Sequence, residues 1–202
     1  MTFRRLLSSA RGFTIAEIAT ALTVTTIVAG AAVPAIQDFI SQARHARAVS
    51  DTHTIATALS RLEGDVLGQS TKGRGWATFD VLVSQGDTPT LGPGGDKAWL
   101  QPASAKVGLL DEHLVTNAAG YTTNPAGQNM VLRGWHGPYI ENAIPIDPWG
   151  NRYAVNIKAL ADGTSCTVVI SAGPNGQIET PFTGVAITPG GDDVVALMAT
   201  MR

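Results

Sequence analysis

Few residues of this chain have the type and spacing that chemistry requires, and one of them stands in an improbable place. Glu17 opens a run, Ile18 to Gln37, that contains no Asp, Glu, Lys or Arg. About 20 such residues in a helix cross the roughly 30 Å hydrocarbon core of a bilayer. A carboxylate at the centre of such a helix costs on the order of 2.5–3.5 kcal/mol, and less where it lies near the interface. A group held at that cost has a partner and a role. Just ahead of it stand Gly12 and Phe13, behind a short leader that carries Arg4, Arg5 and Arg11.

Spacings that would support enzyme chemistry are missing elsewhere. His45 and His53 are eight residues apart, His113 and His136 fall in separate segments, and none has the His-x-x-x-His or Glu-x-x-His spacing of a metal site. Gly92 to Lys97 lacks the Gly-Lys-Ser/Thr of a phosphate loop, because Lys97 follows Asp96 and precedes Ala98. Gly163-Thr164-Ser165-Cys166-Thr167 begins like a nucleophile elbow but has no closing glycine. Glu141 and Asp147 have no partner that would mark a general acid and base. The reading is of a chain without catalytic residues.

The elements that must carry Glu17 follow from periodicity. Residues 13–36 read as a membrane-spanning helix with Pro34 inside it, where a missing N–H and a ring clash kink or loosen the turn. Residues 37–64 continue it, the pattern from Ile36 running on through Phe39, Ile40, Ala43, Ala46, Val49, Ala56, Leu59 and Leu62 mostly three or four apart, an amphipathic face for a soluble domain. Gly64 is the expected stop, giving a helix of about 50 residues and about 75 Å. Residues 65–135 are loop-rich, punctuated by Gly and Pro. Within them Phe79 to Val83 fits a helical turn or a strand, and Lys106 to Val115 fits a short amphipathic helix.

In residues 136–202, Asp147-Pro148-Trp149-Gly150 is a β-turn sequence, since Pro148 presets φ and Asp147 accepts from nearby backbone. Alternation through Tyr153, Val155 and Ile157, then Thr167 to Ser171 and Asp193 to Met198, predicts a three-stranded antiparallel sheet. The fold class is α+β, a long N-terminal helix packed on that sheet.

Length and composition agree with one anchor and one modest domain, at 202 residues. Removing the first twelve residues leaves 11 basic against 16 acidic residues, a balance of −5. No basic stripe interleaved with aromatics is present, so no nucleic-acid partner is expected. The single cysteine, Cys166, cannot form an internal disulfide, so a domain outside the cytoplasm needs another brace, and a bound metal is one candidate.

Gly12-Phe13 with Glu17 behind a basic leader resembles the class III signal of type IV pilins and of type II secretion pseudopilins. Gly137-Pro138-Tyr139-Ile140 and Asp147-Pro148-Trp149-Gly150-Asn151-Arg152-Tyr153 resemble segments of the major pseudopilin, general secretion pathway protein G. The resemblance implies a type IV pilin-like fold and a leader, residues 1–12, cut by prepilin peptidase between Gly12 and Phe13, with Phe13 then N-methylated. Phe13, Glu17 and Pro34 become assembly residues: the Phe13 amine of one subunit meets the Glu17 carboxylate of a neighbour. Implied partners are further copies in a helical filament, other pseudopilins, prepilin peptidase, the inner-membrane assembly platform and membrane lipid. The implied place is the inner membrane, single-pass, with the N-terminus cytoplasmic and the C-terminal domain periplasmic.

The resemblance extends to Ser171-Ala172-Gly173-Pro174-Asn175-Gly176-Gln177 and Gly190-Gly191-Asp192-Asp193-Val194, which are similar to the loop in which major pseudopilins bind calcium. Ser171, Asn175, Asp192, Asp193 and nearby carbonyls are the implied ligands, because calcium takes six to eight oxygens. Asn175 stands where the family often has aspartate, and Pro174-Asn175-Gly176 also suits a plain turn. Other readings share part of the N-terminal pattern: a secretory signal cut after Ala31, a twin-arginine signal at Arg4-Arg5, or a plain anchor for a periplasmic binding domain. Within the family, a type IV pilus subunit for adhesion, motility or DNA uptake is the alternative to a pseudopilus subunit.

Overall fold

The computed structural model describes residues 12–66, 79–100, 107–121, 123, 134–158 and 166–198. The chain divides into two compact units, Met1–Ala43 and Arg44–Arg202. Helix α1 (Ile15–Val66) supplies all the regular structure described in the first. There the apolar side chains are bare: Phe13 is 84% exposed, Ile15 88% and Phe39 72%. The helix is long and apolar enough to cross a membrane, and none of its most apolar stretch is buried. Thr20, Thr23, Thr25 and Thr26 each donate the hydroxyl proton to the carbonyl four residues back, at 2.8–3.0 Å, which hides polar groups from an apolar medium. The helix is continuous through Pro34.

In the second unit α1 becomes one wall of a core. Thr52, Ile55, Ala56, Leu59, Leu62, Glu63 and Val66 are buried, at spacings of mostly three and four. Gly64 is not the stop expected of it, for the helix runs on to Val66. Gly64 is exposed between buried Leu62 and buried Val66, and their packing outweighs the roughly 1 kcal/mol that glycine costs in a helix. Glu63 is buried, its Oε2 lacks a partner among the described residues, and desolvation raises its carboxyl above the usual range. Two tyrosines fasten the helix to the rest. The Tyr139 hydroxyl donates to Asp65 Oδ2 at 2.8 Å and the Tyr153 hydroxyl to Asp51 Oδ2 at 2.9 Å.

The sheet corrects the three-stranded antiparallel expectation. Five strands, β1 (Val81–Val83), β3 (Val107–Leu109), β4 (Ala154–Val155), β5 (Val168–Ser171) and β7 (Val194–Leu197), lie in the order β3-β1-β4-β5-β7. The antiparallel run β4-β5-β7 is the predicted trio, and β1 joins β4 antiparallel while β3 pairs with β1 in parallel. Val107–Leu109 was expected to begin a short helix, but only Leu110–Leu114 (α2) is helical, and Lys106 lies outside the described residues.

Strand β1, whose sequence fits a helical turn as well as a strand, shows no alternation because both faces of the sheet are covered there. Leu82, Val155, Val169 and Ala196 form one row across the register and pack with α1. Val83, Ala154, Ile170 and Val195 form the other row, against Trp99, Ile178 and Phe182. Strands buried on both faces lose the apolar/polar alternation that marks a strand in sequence.

The second cover is built by β2 (Thr90–Leu91), pairing in parallel with β6 (Gln177–Ile178), and by a 3-10 turn at Lys97–Leu100. Trp99 meets Phe182 edge-on at 4.8 Å, and its indole N–H donates to the Thr180 carbonyl at 2.9 Å. The glycines of Gly92 to Gly95 serve this packing, since a Cβ on Gly95 would strike the Ile178 carbonyl.

Candidate functional site

At the N-terminus, Gly12, Phe13 and Thr14 precede the first helical turn and are exposed. Thr14 and Glu17 close a reciprocal cap. The Thr14 backbone N–H and hydroxyl donate to Glu17 Oε2 at 2.8 and 2.9 Å, and the Glu17 N–H donates to Thr14 Oγ1 at 3.2 Å. This Thr-x-x-Glu box satisfies donors that a helix start leaves free and sets a negative charge where the helix dipole favours one. The Glu17 carboxylate is therefore held at the mouth of α1, four residues from Phe13. The box was readable as Thr-x-x-Glu ahead of an apolar run, and the sequence reading passed over Thr14.

At the C-terminal end the loop between β5 and β7 gathers oxygens. Ser171 closes β5 at the start of the loop, its hydroxyl donating to Asp147 Oδ2 at 2.7 Å and accepting from the Gly173 N–H at 3.3 Å. Asp147 Oδ1 accepts from the N–H groups of Trp149 and Asn151 at 3.0 and 2.7 Å, so Ser171 ties the Asp-Pro-Trp-Gly turn to the sheet. Gly150, at φ +100°, lets that turn close. Asn175 spends its Oδ1 on the Gln177 N–H at 2.6 Å, while its own N–H donates to Asp192 Oδ2 at 3.1 Å.

Asp193 is the anchor of the loop. Its Oδ2 accepts from the Glu179 N–H at 2.9 Å, the Thr180 N–H at 2.8 Å and the Thr180 hydroxyl at 2.6 Å. Desolvation raises the Asp193 carboxyl above its usual range despite those bonds, and Glu179 adds like-charge repulsion. Among the described residues, the second oxygen, Asp193 Oδ1, is buried without a partner, as is Asp192 Oδ1. The Glu179 carboxylate lies across Gly191 and Gly92, where a side chain at either glycine would collide with it. Among the described residues no three His, Cys, Asp or Glu side chains are grouped as they would be around a metal.

Residues 119–188 match the family model for type II secretion system (T2SS), protein G. This is the family that the motifs resemble, and the match covers about a third of the chain. Gly137 to Ile140, Asp147 to Tyr153, Ser171, Asn175 and Glu179 fall inside the protein G match. Glu17, Asp192 and Asp193 fall outside it. No curated protein and no solved structure matches the chain.

Within the protein G segment, the residues that tie structure together were largely missed from sequence. Asp147 was read as a turn residue and also holds Ser171. Glu179 was not read as part of the loop at all, although it stands four residues beyond Asn175 and donates its N–H to Asp193. Of the four residues expected around one ion, Asn175, Asp192 and Asp193 share a network through Glu179, and the Ser171 hydroxyl joins the Asp147 turn to the Gly173 N–H.

Proposed function

We propose that the chain is a structural subunit of a periplasmic pseudopilus that drives type II protein secretion and performs no catalysis. The observation that carries the reading is the coexistence in one chain of a protein G-type segment and a helix whose apolar stretch is wholly bare. Bare apolar surface on that scale needs lipid or other copies of the helix to cover it. The chain is inserted with Arg4, Arg5 and Arg11 cytoplasmic. Prepilin peptidase then cuts between Gly12 and Phe13, a site whose exposure ahead of the capped turn suits a protease.

Phe13, N-methylated, and Glu17 then pair between neighbouring subunits as helices leave the membrane for the filament, with the inner-membrane platform and other pseudopilins as partners. Mass spectrometry of the chain from cells with active prepilin peptidase tests this. The expected start is N-methyl-Phe13, and Gly12→Val retains the leader. An intact Met1 terminus, or a start after Ala31, would overturn it.

Calcium at the β5–β7 loop belongs to the same reading. The donor set fits in part: Asp192 Oδ1 and Asp193 Oδ1 are buried carboxylate oxygens that lack partners among the described residues, and each such oxygen costs roughly 1–3 kcal/mol unless something satisfies it. A hard cation does so, with loop carbonyls able to add to the six to eight oxygens that it takes. Ser171 is not in this proposed set, because its hydroxyl donates to Asp147 and already accepts from the Gly173 N–H. The ion would brace a Gly- and Pro-rich loop in a domain whose one cysteine cannot form an internal disulfide.

A further inference from the structure

A cleft of about 380 Å³ opens on α1 within the second unit, lined chiefly by His53, Thr54, Thr57, Arg61 and Tyr139. Its donors are largely committed elsewhere. The Thr54 and Thr57 hydroxyls donate to the Ser50 and His53 carbonyls at 2.8 Å, and the Tyr139 hydroxyl donates to Asp65. Arg61 differs: it is exposed, no carboxylate lines the cleft with it, and among the described residues it makes no hydrogen bond or ion pair. A guanidinium beside an imidazole in a cleft without acids is chemistry suited to a carboxylate.

We infer that this cleft receives the Asp38 carboxylate of a second copy of the chain. The inference rests on the filament reading above and adds a register to it. Asp38 is the one carboxylate between Glu17 and Asp51, is exposed, and has no ion pair among the described residues. It directly follows the apolar run, on the stretch that filament formation would lay against other copies. Two residues 23 apart in one helix cannot touch, so Asp38 and Arg61 meet only between molecules. Parallel copies staggered by 23 residues, about 35 Å on a 1.5 Å rise, bring them level.

Charge reversal in the full chain tests the contact, with wild-type filaments as the control for the reading itself. With prepilin peptidase and the assembly platform present, Arg61→Glu and Asp38→Arg should each lower filament yield about tenfold, and the double variant should recover most of it. In filaments mixed from Asp38→Cys and Arg61→Cys chains, both carrying Cys166→Ser, oxidation should yield a disulfide-linked dimer. Wild-type yield from Arg61→Glu, failure of the double variant to recover, or filaments without that dimer would overturn the contact and leave the pseudopilus reading standing. A wild-type chain that forms no filament would remove both.

Discussion

The hydroxyl of Tyr153 donates to Asp51 Oδ2 at 2.9 Å, joining residues 102 apart in sequence and pinning α1 to the edge of β4. Asp51 is also paired with Arg47 at 3.4 Å, and Arg47 reaches the Ile146 carbonyl at 3.5 Å. Burial first, and then Asp51, pushes the Tyr153 phenol well above its usual range, so it remains a donor at any physiological pH. Tyr153→Phe should cost about 1–2 kcal/mol in urea unfolding of a fragment 37–202, with the m-value unchanged. In the Asp51→Asn background the loss should shrink. Equal losses in both backgrounds would mean that the phenol acts through packing alone.

Glu17→Gln separates the observed cap with Thr14 from the proposed pairing with a neighbouring subunit. Glutamine can keep the capping box with Thr14 but carries no charge to pair with a neighbour's Phe13 amine. The variant should insert in the membrane and keep its N-terminal turn, while filament yield falls to near that of Glu17→Val. Wild-type yield from Glu17→Gln would assign the residue to capping only.

Calcium should raise the melting temperature of fragment 37–202 in proportion to RT ln(1 + [Ca²⁺]/Kd). Asp193→Asn should abolish that rise, and Asp162→Asn should keep it. Because the folded-state pKa of Asp193 is raised, the folded state in chelator binds the extra proton. Acidification through the range just above the ordinary aspartate value therefore favours the fold through this group, and the gain is lost as pH rises through the folded pKa. Protons and calcium compete for the carboxylate, so the calcium shift should shrink over that same range. An unchanged melting temperature between chelator and millimolar calcium at neutral pH would leave the loop as a turn without an ion.

His113 supplies a second, opposite pH dependence. Its ring is fully buried, 2.6 Å from the Tyr121 hydroxyl and edge-on to Phe79, and desolvation lowers its pKa to about 4. The unfolded chain takes up a proton near pH 6.5 that the folded chain refuses until about 4. Stability from this group is thus complete above about pH 6.5 and lost as pH falls toward 4, by on the order of 3 kcal/mol. His113→Gln should be less stable at pH 7.5 yet show a flatter profile across this window. A variant with the slope of wild type would assign the acid sensitivity elsewhere.

The features that sequence determined are those that act locally. The apolar stretch of α1, the β4-β5-β7 trio and the Asp147 turn depend on composition, period or a few adjacent residues, and all could be read without a fold. The Thr14–Glu17 box is local in the same way and was legible, though unread. What only the tertiary structure decided depends on residues far apart in sequence. Strand β1 is buried on both faces because a second layer covers the sheet, and that cover erases the alternation by which strands are recognised. The Ser171 hydroxyl binds Asp147, 24 residues earlier, as well as its own loop at Gly173. The helix continues past Gly64 because Leu62 and Val66 have a core to enter. There a local preference worth about a kilocalorie yields to burial of equal or greater strength.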